Sequence, residues 1–315
     1  MSEEKKNSLL SRFNMNEVIP FLGLVLVIVV FQIATHGKLL SASNLRSFSN
    51  YLFQIIVPAC GYIFLMSQGN MDFSLAGMVC VATAVGAYLS QTSIPLAIAA
   101  VILLCLLMGL INAAACVGLK VNSFVATIAT SFVYSGIASV ILGGGAITGS
   151  YDLKLADQVW VKYGIIILCL LVGYICFDYT PFGKNCRSIG ANETAAGQSG
   201  VRTDLIKVMG FLVLAFTCSL VSIFLLIRTC TGSINSGLNL QVNTMLALLL
   251  GGVPFSGGWS SKFKAVIIGG LMMAVVNNGL TLVNMGAELQ QIFKGVLFIA
   301  AVALSFDRKN TAVIK

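Results

Sequence analysis

The chain has 315 residues, of which 57% are hydrophobic and only 10% are charged. Soluble domains carry roughly 25% charged residues, so this composition excludes an ordinary soluble enzyme or binding domain. The net charge of +8 is scattered over separate stretches of the sequence. It does not form the clustered basic patch of a nucleic-acid-binding protein, and no nucleic-acid partner is expected.

The hydrophobic residues are grouped into ten apolar segments. A helix that crosses about 30 Å of hydrocarbon needs about 20 mainly apolar residues. An open sheet edge is not satisfied in lipid, and the alternating segments of about ten residues that form a β-barrel are absent from the sequence. We therefore predict an all-α, polytopic transmembrane helical bundle of about ten spans, some of them short or broken. The segments are 18–35, 51–67, 73–89, 94–117, 122–142, 161–179, 207–227, 240–254, 264–283 and 289–306.

Lysine and arginine are distributed unevenly between the loops of the two sides. With ten spans and a cytoplasmic N terminus, about two thirds of the basic residues fall on the inner side, as the positive-inside rule requires. Both termini are therefore predicted to be cytoplasmic. We expect a cytoplasmic N-terminal segment at 1–17 without a cleaved signal, a transmembrane domain at 18–306 and a cytoplasmic tail at 307–315.

The second and the eighth segment are short, and each ends in a break that contains glycine. The first break, 67–72, contains Gly69 and Asp72, and the second, 251–258, contains two glycine pairs around Pro254. Such interruptions often mark discontinuous helices that line a transport site, although plain turns between spans give the same pattern. An acidic residue at membrane depth is costly. We interpret Asp72 either as a cap that meets the free N–H groups of the next helix or as a polar group beside a pathway.

Polar residues also occur inside the last two segments. Asn277 and Asn278 lie in the middle of the ninth segment, where they either join helices through hydrogen bonds or line the route of a hydroxylated solute. In the tenth segment, Gln290 and Lys294 share one helix face because they are four residues apart. Lys294 is expected about one turn inside the outer interface, where its long stem allows the ammonium group to snorkel.

The longest inner loop, 180–207, is the least apolar part of the chain's interior. Asn192 or Thr194 is positioned to cap a short helix whose first turn contains Glu193. Such a helix on the cytoplasmic face is either a docking element for another protein or an ordinary polar connector.

Catalytic and metal-binding patterns are absent from the sequence. Most of the nine cysteines lie inside apolar segments, without a C-x-x-C pair or a histidine cluster, and are interpreted as buried small hydrophobic residues. There is no Ser/His/Asp or paired-carboxylate arrangement, so we predict no catalytic residue and no metal site. The segment Phe255–Trp259 resembles the signature of ATP-binding-cassette (ABC) ATPases, but no phosphate-binding G-x-x-x-x-G-K-[ST] loop is present, and we do not expect this chain to hydrolyse ATP itself.

Five short motifs occur in order along the chain. They are Gly69–Ser74, Val121–Thr127, Gly190–Ala196 closing on Ser199–Val201, the glycine pairs Gly251-Gly252 and Gly257-Gly258, and Asn277–Leu280. The first three resemble the family elements G-G-I-D-L-S, V-x-x-F-I-A-T and G-x-N-x-x-A-A-x-x-S-G-I. The last two are similar to the pattern L-G-G…G-G followed by N-N-G-L. Together they resemble the permease subunits of bacterial ABC importers of the ribose/galactose/xylose class.

The resemblance implies a membrane-embedded permease subunit of an ATP-driven importer in the bacterial plasma (inner) membrane, for a simple sugar or similar polyol. It implies three partners: an extracytoplasmic solute-binding protein, a second permease chain that forms a homodimer or heterodimer, and a cassette ATPase subunit that holds ATP and Mg. This chain would bind no cofactor. The alternative is a stand-alone secondary carrier or channel for a small polar solute.

The resemblance also assigns roles to individual residues. The loop 180–207 would contain the helix that couples to the ATPase, through Gly190, Asn192, Glu193, Ala195, Ala196, Ser199 and Gly200. The translocation pathway would include Asp72, Asn122, Phe124, Gln241, Asn243, Asn277 and Asn278.

The chain departs from the family where the motif E-L-D-A-I-A-A precedes the glycine pair. Its residues there are Gln241–Ala247, so the amides of Gln241 and Asn243 replace two carboxylates, and Asn70 replaces a family glycine. Amides keep hydrogen-bonding capacity but lose charge. The solute therefore stays open at this point between sugars, nucleosides, inositol and a furanose-like signalling molecule.

Overall fold

The structure, a computed structural model, describes residues 15–305, and the side chains of 20–302. The described part contains twelve α-helices and two short strands. The predicted cytoplasmic tail, 307–315, and all but the last three residues of the predicted N-terminal segment lie outside the described residues. The helices are α1 Met15–Ala34, α2 Leu45–Ser67, α3 Leu75–Ser90, α4 Ile94–Ala113, α5 Ser123–Leu142, α6 Val159–Tyr174, α7 Pro181–Ala191, α8 Glu193–Gln198, α9 Thr203–Thr229, α10 Leu240–Leu250, α11 Lys264–Leu282 and α12 Ala287–Ser305.

Each of the ten predicted apolar segments corresponds to one of these helices, and α7 and α8 lie in the predicted inner loop. Six helices of the described chain (α2, α4, α5, α6, α9 and α11) are long and apolar enough to cross a membrane, and α1, α3 and α10 contain shorter apolar stretches. The all-α membrane bundle is therefore confirmed. The count of ten spans stays a prediction.

The second segment is not short, contrary to the prediction. Helix α2 begins at Leu45, six residues before the apolar stretch. Its polar first turns are compatible with a helix because Ser49 and Asn50 are buried and bonded: the Ser49 hydroxyl donates to the Arg46 carbonyl at 2.7 Å, and Asn50 accepts from Lys162 at 2.7 Å.

Side-chain caps explain where several helices begin. The Asn122 side chain accepts a hydrogen bond from the Phe124 N–H at 3.0 Å at the start of α5. Ser93 does the same for the Leu96 N–H before α4, which has proline in its first turn. Such caps satisfy donors that have no partner within the helix. Helix α5 ends before Gly143, whose φ of +58° is the left-handed conformation that terminates helices.

Helix α2 forms the centre of the bundle, because nearly every residue from Leu52 to Ser67 is buried. Helix α9 packs against α2 and α4, α3 packs against α4 and α5, and α11 packs against α10 and α2. Helices α5 and α6 instead expose large apolar side chains, among them Phe132, Val140 and Leu168. Exposed apolar faces of this extent are what a lipid-facing helix requires.

The loops after α5 and α9 pair as two short antiparallel strands, β1 Ala146–Thr148 and β2 Thr231–Ser233, with Ile147 opposite Gly232. This pairing was not predicted from the sequence. The strands pack on α3, where Gly232 lies so close to the Thr83 carbonyl that a Cβ atom would be 2.5 Å from it. They fix one wall of a polar pocket described below.

Candidate functional site

Three chain segments that lie far apart in sequence meet at one point, which we call the junction: Ser67–Gly69, Gly190–Ala191 and Ser256–Gly258. The Gly258 N–H donates a hydrogen bond to the Ser67 carbonyl at 2.8 Å. A Cβ atom on Gly190 would overlap the same carbonyl oxygen and the Gly258 nitrogen. The loop that was predicted to couple to an ATPase therefore touches the backbone of both breaks.

Side chains strengthen the contact between the first break and the α7 region. The Gln68 amide nitrogen donates to Cys186 Sγ at 3.1 Å and to the Ile206 carbonyl at 3.2 Å. Burial raises the pKa of the Cys186 thiol to about 12, so the sulfur is a neutral partner for the amide. The Arg187 guanidinium lies 5.0 Å from the Phe177 ring and 5.5 Å from the Trp259 ring, so it connects α7 to the residue that follows the second break.

The end of the first break and the two residues after it form a non-helical segment inside the bundle, and side chains satisfy its N–H groups. Four consecutive N–H groups each donate to a side-chain oxygen, two of them to hydroxyl groups of α5. A buried backbone without such partners would be unstable at membrane depth. The pairs are Met71 N–H to Ser123 Oγ (3.2 Å), Asp72 N–H to Tyr62 Oη (2.9 Å), Phe73 N–H to Thr127 Oγ1 (3.0 Å) and Ser74 N–H to Asp72 Oδ1 (2.7 Å).

Asp72 is only 2% exposed and is held by neutral donors. Its Oδ1 accepts from the Ser74 hydroxyl at 2.6 Å, and its Oδ2 accepts from the Asn112 amide at 3.1 Å. The Tyr134 hydroxyl donates to Asn112 Oδ1 at 3.1 Å. The bond from the Ser74 N–H to Asp72 agrees with the first of the two interpretations, in which Asp72 anchors the start of α3. Asp72 lines neither of the two pockets described next. A role in the pathway stays a prediction.

A cavity of about 860 Å³ opens beside the junction. We call it the inner pocket because the predicted orientation places the loop 180–207 on the inner side. The pocket lies at the N-terminal end of α9. Its lining residues come from both breaks, from the motif Val121–Thr127 and from the loop 180–207. Asn122 and Phe124, both predicted pathway residues, line it together with Asn70 of the first break and Glu193 of α8. The Glu193 carboxylate forms an ion pair with Lys207 of α9, which also lines the pocket.

A second cavity of about 320 Å³, the outer pocket, lies at the C-terminal end of α9. Lys207 and Thr229 mark the two pockets on this helix, and the 1.5 Å rise per residue separates them by roughly 30 Å. The predicted pathway residues Asn243 and Asn277 both line the outer pocket, beside Gln290 and Lys294 of α12.

Two further predicted pathway residues, Gln241 and Asn278, line neither pocket. Gln241 is half-buried, and its side-chain oxygen has no hydrogen-bond partner among the described residues; the same holds for Asn243 Oδ1. Asn278 exchanges two hydrogen bonds with Asn44, at 2.9 Å and 3.1 Å. Each of the two interpretations of the asparagine pair therefore applies to one residue. Asn278 joins α11 to the turn before α2, whereas Asn277 faces the pocket.

No prediction included the residues that support the first break from neighbouring helices, above all Tyr62, Asn112 and Tyr134. Asn112 had a detectable signal, because it is a lone amide within a strongly apolar segment. The two tyrosines had none, since a buried tyrosine is common in any helical core.

The predicted short helix in the inner loop is confirmed as α8, and its cap is Asn192, whose side chain accepts from the Ala195 N–H at 2.9 Å. Of the seven predicted coupling residues, Ala196 is buried and Gly190 half-buried. The others, Asn192, Glu193, Ala195, Ser199 and Gly200, are exposed. Their coupling role stays a prediction.

The chain is similar to known transport proteins over most of its length. The model of the family described as branched-chain amino acid transport system, permease component, matches residues 44–302. The ribose import permease protein RbsC of Bacillus subtilis (strain 168) is 28% identical over 311 residues, covering 95% of this chain and 94% of the relative. The L-arabinose transport system permease protein AraH of Escherichia coli (strain K12) is 28% identical over 264 residues, covering 79% and 78%.

A third relative is the galactose/methyl galactoside import permease protein MglC of Salmonella typhimurium (strain LT2), which is 29% identical over 332 residues and covers 96% of this chain and 97% of the relative. No solved structure matches the chain significantly. The stretch 44–302 matched by the family contains the whole junction and every residue named above as lining the two pockets.

Proposed function

We propose that this chain forms the pathway of an ATP-driven importer for a simple sugar or similar polyol. The premise is that it belongs to the family of transport-system permease components matched above. It is a multi-pass membrane protein of that family. The names of three relatives, import or transport permeases for ribose, L-arabinose and galactose, support the solute class.

The observation that carries this proposal is the junction. The backbone of Gly190, at the end of α7, lies directly against Ser67 and Gly258, without a side chain between them. A force applied to α7 and α8 from the cytoplasmic side would therefore reach both breaks with little loss, because packed backbone is stiff. The breaks lead into α3 and α11, and α11 carries Asn277, which lines the outer pocket.

The proposed partners are those that the similarity to importer permeases implies. A cassette ATPase subunit that holds ATP and Mg docks on the exposed surface of α8, a solute-binding protein delivers the solute at the outer face, and a second permease chain completes the pathway. In this arrangement the chain lies in the bacterial inner membrane with both termini in the cytoplasm, and ATP is hydrolysed on the separate subunit.

Reconstitution tests the proposal. The chain is placed in liposomes with its partner ATPase and solute-binding protein, whose genes we expect beside its own. Uptake of labelled ribose, L-arabinose and galactose is measured with ATP supplied on the ATPase side. We expect uptake of at least one of these sugars that is lost when the phosphate-loop lysine of the ATPase is replaced. Uptake that persists with this inactive ATPase would contradict the proposal. Flux driven by a proton or sodium gradient in liposomes with this chain alone, abolished by Asp72→Asn, would favour the secondary carrier instead.

A further inference from the structure

The outer pocket contains a buried positive charge. Among the described residues that line it, Lys294 alone is charged, and the others are amides, hydroxyl-bearing residues, glycine and apolar side chains. Lys294 is 8% exposed. No hydrogen bond or ion pair joins its ammonium group to any other residue in the part of the chain that the structure describes. Glu288, on the same helix, is exposed and does not line the pocket.

An unpaired ammonium group in such a place is unfavourable. Removing a charge from water is costly unless an opposite charge or several hydrogen bonds replace the lost hydration. A second polar group of the pocket also lacks a partner, because Asn243 Oδ1 is buried without a donor among the described residues. The pocket thus presents one cation that needs an anion and one carbonyl oxygen that needs a hydroxyl or amine donor.

The amino acids at 241 and 243 make the pocket more positive than the family motif would. Where that motif has two carboxylates, this chain has Gln241 and Asn243. A carboxylate at 243, on the wall of the pocket, would offset the charge of Lys294. With asparagine there, the net charge of the lining residues is that of Lys294 alone.

We propose that the outer pocket binds a monosaccharide-sized polyol that carries a carboxylate, and that Lys294 selects it. The carboxylate pairs with the Lys294 ammonium group, and a hydroxyl of the solute donates to Asn243 Oδ1. The volume of about 320 Å³ is at the lower end of ligand sites and fits one small solute. This inference rests on the proposed function, because it names the class of solute that passes the same pathway.

Binding of two matched sugars tests it. The purified full chain in lipid nanodiscs is titrated at low and at high salt with D-glucuronate and with D-glucose. Glucuronate carries a carboxylate where glucose has a hydroxymethyl group. We expect glucuronate to bind at least about tenfold more tightly at low salt, as one hydrogen bond to a charged group allows. Because part of the attraction is electrostatic, high salt reduces the preference.

Three variants separate charge from packing. Lys294→Met keeps the length of the stem and removes the charge, so the preference for glucuronate disappears. Asn243→Asp keeps Lys294 and adds a negative charge to the pocket wall, so the preference disappears again without loss of the lysine. Lys38→Met, at an exposed residue that does not line the pocket, leaves the preference unchanged. Thermal unfolding of each variant establishes that it is folded.

Equal binding of the two sugars, binding of neither sugar by the folded chain, or a preference that survives in both pocket variants would overturn the inference. The proposed function fails on a different result. Uptake of neutral sugar that requires the ATPase, without any preference for glucuronate, overturns only the charge selection, whereas uptake that does not require the ATPase overturns the importer itself.

Discussion

Gly190 lies so close to the carbonyl of Ser67 that no side chain, not even a methyl group, fits between them. The two residues are at the ends of α7 and α2, more than a hundred positions apart in the sequence. The Ser67 oxygen also accepts from the Gly258 N–H at 2.8 Å. The Ser67 carbonyl group therefore contacts both the inner loop and the second break.

Replacement of Gly190 by alanine tests the junction. We expect Gly190→Ala to separate α7 from Ser67, to lower stability by about 2 kcal/mol through overpacking, and to reduce the uptake obtained per ATP hydrolysed. The matched control is Gly197→Ala in the neighbouring helix α8, where the closest atom to the added methyl group would be Thr203 Cγ2 at 3.9 Å. Its stability stays within about 1 kcal/mol of the original, because alanine favours helix. Thermal unfolding and coupled uptake measure both effects, and equal behaviour of the two variants would show that the close approach is unimportant.

Asp72 is expected to stabilise the first break. Asp72→Ala leaves the buried Ser74 N–H and the Asn112 amide each without one acceptor, and such losses add up to about 3 kcal/mol. The exposed Asp152 gives a control, since Asp152→Ala shifts stability by less than about 0.5 kcal/mol. Melting temperatures in detergent measure the difference. If both alanine variants melt at the same temperature, the network around Asp72 does not stabilise the fold.

The ion pair of Glu193 with Lys207 is expected to matter more for coupling than for stability. The Glu193 side chain is 51% exposed, and pairs of this kind contribute about 0.2–1 kcal/mol. Glu193→Gln should therefore melt nearly like the original chain but give less uptake per ATP. The charge-swapped pair, Glu193→Lys with Lys207→Glu, restores the attraction within the chain but presents a reversed charge to the ATPase. We expect it to melt like the original chain without regaining coupling; full coupling in either variant would exclude a docking role for Glu193.

A pH dependence is expected from Asp157 before α6. Burial raises the pKa of its carboxyl group, but hydrogen bonds and positive charges from Lys162 at 2.6 Å and Arg46 at 2.9 Å outweigh burial, and the pKa lies below its usual value. Because the pKa is lower in the folded state, the carboxylate stabilises the fold above the unfolded pKa of about 3.9 and loses this contribution as pH falls through the folded pKa.

Asp157→Asn removes this contribution. At about pH 7 it should be less stable by about 2 kcal/mol, because the buried Lys162 loses its charged partner and keeps neutral ones such as Asn50. The gap to the original chain narrows below about pH 4, as the carboxyl of the original chain is protonated. Unfolding curves from about pH 7 to well below about pH 4 measure how the gap changes, with Asp152→Asn as the control. If the difference in stability between the two chains does not change with pH, the lowered pKa of Asp157 is contradicted.

Much of the fold follows from local sequence because a membrane helix needs a long apolar stretch, and each such stretch here is a helix. The cap at Asn192 was also predictable, since the pattern of an asparagine followed by glutamate and alanines is local. The early start of α2 was not predictable. Asn50 lies in that helix with its side-chain oxygen bonded to Lys162, more than a hundred residues away, and no local pattern reports such a partner.

The sequence by itself determined that the chain is a helical membrane protein with breaks after α2 and α10 and a capped helix in the inner loop. These features depend on composition and on neighbours within a few residues. Only the tertiary structure decided that Ser67, Gly190 and Gly258 meet, that Asp72 is buried among neutral donors, and that Lys294 shares a pocket with Asn243 and Asn277. Contacts between distant segments depend on how helices pack, and packing is set by the shapes of all the buried side chains together.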